Sequence, residues 1–83
     1  MERYRPSTSL IEPAMYRICI LGRLDEKWSD YCGGMTIKHG SNAKGYVTTM
    51  LAGQLADQSA LIGVLNELHD MGCPIISVEC VEA

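Results

Sequence analysis

Residues able to do chemistry gather in one stretch of the chain. Between positions 23 and 31 stand Arg23, Asp25, Glu26, Lys27, Trp28, Ser29, Asp30 and Tyr31. An indole and a phenol three residues apart can stack on a flat ligand while Arg23 or Asp30 orients its polar groups. The same side chains have a plainer reading. Trp28 and Tyr31 then form the core side of a short helix, the charges face water, and Asp25 caps the first turn. The plainer reading is preferred, and Arg23, Trp28, Asp30 and Tyr31 are kept as candidate ligand or partner contacts.

Two imidazoles, His39 and His69, are present. His69 falls in the last turn of an expected helix, where a cation suits the helix dipole. His39 ends an expected strand beside a loop and could act as a general base. No Ser or Cys is coupled to it in sequence, so His39 is a candidate contact and no catalytic residue is assigned. Gln58 lies in the first turn of the long helix and is the last candidate contact. Its neighbour Asp57 is read as a cap, which competes with any anion at that helix end, and the glycine pattern of a phosphate loop is missing. Cys19, Cys32, Cys73 and Cys80 contain no C-x-x-C pair, so they are expected to be buried thiols, with neither a metal nor a cofactor.

These residues need elements to hold them. Residues 1–13 mix Pro6, Ser7, Thr8, Ser9 and Pro13 with charges and read as a flexible arm before a single domain over 14–83. Tyr16, Ile18, Ile20, Gly22 and Leu24 alternate with Arg17, Cys19, Leu21 and Arg23, so a first strand is expected over 14–24. A short helix follows over 25–31 and stops at Gly33 and Gly34. Strands are expected over 35–39 and 46–52, the latter closed by Gly53, with a turn-rich loop between them. Leu61, Val64, Leu65, Leu68 and Met71 form a helical stripe between an Asp57 cap and Gly72, with Pro74 beyond. Gly63 costs about 1 kcal/mol inside that helix and is expected to allow close packing there against a strand or a partner. A last strand over 75–82 alternates Ile76, Val78 and Cys80 with Ser77 and Glu79.

The order is therefore β-α-β-β-α-β. Right-handed crossovers fold that order into an α+β, ferredoxin-like domain: a four-stranded antiparallel sheet with both helices on one face. Its first helix is short, which is expected to leave part of the sheet or the Trp28 region uncovered.

Composition narrows the function. The chain has 83 residues, 47% hydrophobic and 20% charged, without Phe and with five Met. A core this small is marginal, and a second copy is a natural source of further burial. A formal charge of −3 argues against binding a nucleic-acid backbone. No window approaches the roughly 20 apolar residues that span a bilayer, and residues 1–13 lack the apolar run of an export signal. No nucleic-acid or membrane partner and a cytoplasmic location are expected.

The strings Leu24-Asp25-Glu26-Lys27-Trp28-Ser29-Asp30-Tyr31-Cys32-Gly33-Gly34-Met35-Thr36-Ile37, Leu51-Ala52-Gly53-Gln54-Leu55-Ala56-Asp57-Gln58-Ser59-Ala60-Leu61 and Asp70-Met71-Gly72-Cys73-Pro74 carry a resemblance. The chain resembles a group of short bacterial hypothetical proteins over about residues 15–82. That resemblance implies no activity. The function expected is a self-associating module, a homodimer or higher homo-oligomer, that binds a partner protein or small ligand. The alternative is a cofactor-independent, dimeric ferredoxin-like enzyme acting on a small organic substrate in a cleft beside Trp28.

Overall fold

In a computed structural model, residues 13–82 of the chain are described. The arm expected over residues 1–13 lies, apart from Pro13, outside the described residues. Strand β1 covers Ala14–Leu21 and places Ala14, Tyr16, Ile18 and Ile20 on a buried face. It ends earlier than the alternation suggests. Gly22 adopts φ +102°, a left-handed conformation open to glycine, and turns the chain so that Leu24 joins the core from outside the strand.

The next element is a 3₁₀ helix, Glu26–Cys32. The Asp25 carboxylate accepts from the Lys27 backbone N–H at 3.0 Å, and Gly33 ends the helix in the left-handed region. A Cβ on Gly33 would lie 2.8 Å from Leu55 Cδ2 and 3.2 Å from Val64 Cγ2, so this turn needs glycine for space as well. Strand β2 runs Thr36–Ser41 and strand β3 runs Val47–Leu55. Strand β3 therefore continues through Gly53. The missing side chain at Gly53 leaves room for Met35, whose Cα would sit 3.2 Å from an added Cβ.

Helix α1, Gln58–Asp70, begins where the Asp57 carboxylate accepts from Ala60 N–H at 2.8 Å. Its end is a Schellman arrangement: Cys73 N–H donates to Leu68 O and Gly72 N–H to His69 O, both at 3.0 Å. Leu61, Val64 and Leu68 are buried, as the stripe predicts. Gly63 is exposed, and a Cβ there would meet nothing within 4 Å, so it does not pack closely on a strand of its own chain. Strand β4, Ile75–Glu82, completes the fold.

The domain is α+β, with one four-stranded antiparallel sheet in the order β2-β3-β1-β4 and two helices. Buried residues of the 3₁₀ helix and of α1 join the inward residues of β1, β2 and β3 in one cluster. The roof over the sheet is incomplete, and of the two places the sequence offers for the gap it is the sheet, not the Trp28 region, that is left open. Trp28 is half-buried against the core. The uncovered element is β4, whose residues 75–81 are all exposed. The reason lies in the two helices. Seven residues of 3₁₀ helix span about 14 Å and roof little of the sheet. Helix α1 packs against that helix and β3, which leaves β4 outside its shadow.

Candidate functional site

The aromatic pair from the 23–31 stretch is brought together. Trp28 and Tyr31 stand one 3₁₀ turn apart, with ring centroids 5.3 Å apart and planes tilted by 54°. Lys27 Nζ lies 5.7 Å from the Trp28 ring centroid, within cation–π reach. Trp28 packs on the core, whereas Tyr31 is 62% exposed, so the shared core face expected for the two rings does not form. The tighter 3₁₀ winding turns Cys32 inward in its place. Arg23 and Asp30 are exposed. Gln58 is exposed at the start of α1, on a different element.

His39 has another task. It is half-buried, and its Nε2 donates to the Leu24 carbonyl at 2.5 Å. Directly opposite it in the β2–β3 register is Thr49. The fully buried Thr49 hydroxyl donates to the Gly22 carbonyl at 2.6 Å and accepts from Leu24 N–H at 3.0 Å. The two side chains thus clamp the connection from β1 to the 3₁₀ helix from both sides of Leu24. Ser29, midway along that helix, ties it to the residue before β2 by donating to the Met35 carbonyl at 2.7 Å. Thr49 went unmarked in the sequence. Its one signal is a hydroxyl at the inward position between Val47 and Leu51, where burial demands a partner.

A concavity of about 430 Å³ opens on the sheet face away from the helices, lined by Met15, Thr36, Lys38, Met50, Ala52 and Gly53. None of these was a sequence candidate. Adjacent strand residues point to opposite faces, so Lys38 faces the concavity while His39 faces the clamp. In the register Ala52 sits between Thr36 and Arg17, and Met50 between Lys38 and Cys19. The short Ala52 side chain makes the dip, and Met15, Met50 and Lys38 make its walls. On the same face Arg17 Nε donates to Glu79 Oε1 at 2.8 Å, an exposed ion pair that holds the guanidinium proton above its ordinary pKa.

The four thiols are unbonded and differ in setting. Cys32 is fully buried; burial first, then the charges of Glu67 and Cys73, push its pKa up. Cys80 is exposed on β4. Among the described residues no three His, Cys, Asp or Glu come together as a metal set, and no helix is long and apolar enough to cross a membrane.

Over residues 15–79 the chain matches a family model described as a domain of unknown function (DUF8691), and it belongs to that family. No curated protein and no solved structure gives a significant match.

Proposed function

For a member of this family built on such a sheet, we propose a self-associating module in which a second copy covers the helix side of β4. We also read the two crossovers, each stepping over one strand, as the ferredoxin-like arrangement. The observation that carries the functional reading is the exposure of β4. Ile75, Val78 and Cys80 lie opposite Ile20, Ile18 and Tyr16 in the register, on the side that elsewhere forms the core. Yet Ile75 and Val78 are 40% and 41% exposed, and the flanking Ile76 and Val81 more so. Several exposed apolar side chains along one strand mark an interaction surface.

The contact is placed on the face of β4 rather than along its edge. Register shifts against Met15/Tyr16 and Cys19/Ile20 confine regular pairing to the stretch from Ser77 to Cys80. Bulges of this kind twist an edge away from further strand pairing. A second copy is the favoured occupant because a domain this small gains much from shared burial. Sedimentation velocity from low micromolar to submillimolar concentration tests the reading. A concentration-dependent dimer, abolished by Val78→Asp with the circular dichroism unchanged, is expected. A strict monomer throughout would overturn it.

A further inference from the structure

We propose that the concavity on the open sheet face binds a small amphiphilic carboxylate, its apolar body against Met15, Met50 and Ala52 and its carboxylate at Lys38. The surface is separate from β4, and the inference stands whether or not the chain self-associates. Its volume, about 430 Å³, falls within the range of small-molecule sites. Three of the six lining residues offer apolar side chains, and two of those are Met, whose flexible thioethers adapt to a ligand's shape. The polar side chains of the lining are few, Thr36 and Lys38, two residues apart on β2.

Charge selects the ligand class. The other cation on this face, Arg17, is bound to Glu79. Lys38 has no ion-pair partner among the described residues. An anionic group at the rim therefore meets an uncompensated positive charge, while a cationic amphiphile is repelled by it. The two register rows fix the geometry. Lys38 is directly opposite Met50, so an anion at the ammonium has its alkyl or aryl tail over a thioether. The neighbouring row, Thr36 opposite Ala52, gives the tail a shallow trough and the carboxylate a hydroxyl donor.

The test is an NMR titration of the Met15 and Met50 methyl groups with octanoate, octanol and octylamine below their aggregation limits. Saturable shifts at both methyls with octanoate, at least about tenfold weaker for octanol and absent for octylamine, are expected from a charge-assisted contact. Lys38→Gln should weaken octanoate binding to the level of octanol. Ala52→Leu should fill the trough and abolish binding by all three. Both substitutions lie on the solvent side of the sheet, and unchanged dispersion of the core methyl signals verifies the fold in each. Equal binding of octanoate and octanol, or Lys38→Gln binding octanoate as well as the parent chain, overturns the assignment. So do methyl shifts that depend on protein concentration alone, which would place a second copy on this face.

Discussion

Strands β1 and β4 are neighbours of equal length, eight residues each, and both turn apolar side chains toward the helix side of the sheet. Their fates differ. Ile18 is fully buried and Val78, directly opposite it in the ladder, is 41% exposed. The two side chains point to the same face about 5 Å apart. What separates them is the roof: β1 is a central strand under the helices, and β4 is an edge strand beyond the reach of α1. The contrast teaches that a period-two pattern marks a face that must be covered, without saying what covers it. In β1 the cover is intramolecular; for β4 the proposed cover is a second copy.

The sharpest way to break this contrast is truncation of the opposed pair. Ile18→Ala should cost about 2–5 kcal/mol, the range for emptying a tightly packed aliphatic site. Val78→Ala, measured by chemical denaturation at a concentration where the chain is monomeric, should cost within about 0.5 kcal/mol. Equal losses would mean that β4 is as covered as β1. A second experiment sharpens the comparison at the other border of the core, where the sheet grips the β1 connection. Thr49→Val keeps the side-chain shape and removes the hydroxyl, leaving the Gly22 carbonyl and the Leu24 N–H without their partner. A loss of about 1–3 kcal/mol is expected by the same assay, and no loss would show the clamp to be dispensable.

The smallest expected effect uses the thiols as reporters of the two regions. Alkylation at neutral pH should reach exposed Cys80 first and buried Cys32 last, as followed by mass spectrometry of the peptides. Burial raises the folded-state pKa of Cys32 above its ordinary value of 9.0. Its neutral form is thus favoured in the folded chain, so its contribution to stability is complete below that value. The contribution is lost as pH rises from that value through the higher folded-state one. The melting temperature should therefore decline in that alkaline window, less so in Cys32→Ala. A Cys32 as reactive as Cys80 would contradict the burial on which the contrast rests.

Much of the fold was legible because it depends on local rules. Asp57, the stripe of Leu61, Val64 and Leu68, and Gly72 define α1 by capping and helical spacing. Tyr16, Ile18 and Ile20 define the inward face of β1 by alternation. The candidate site was far less legible. His39 reads as a free imidazole in sequence, but it is half-buried and spends Nε2 on a carbonyl fifteen residues earlier. Thr49 gains its importance from Gly22 and Leu24, more than twenty residues away. The concavity needs Thr36 opposite Ala52 on neighbouring strands and Met15 two residues along on a third.

By itself, then, the sequence determined which segments are strand or helix and which side of each is apolar, because backbone periodicity and capping act over a few residues. Only the tertiary structure decided that β4 stands at an edge, that its apolar side is left open, and that the first helix winds as 3₁₀ with Cys32 turned inward. Those outcomes depend on which strand pairs with which and on where two helices of unequal length come to rest. No short stretch of residues encodes either. The aromatic pair at Trp28 and Tyr31 drew attention in the sequence; the uncovered strand and the trough on the opposite face are the features on which the proposed partner and the proposed ligand rest.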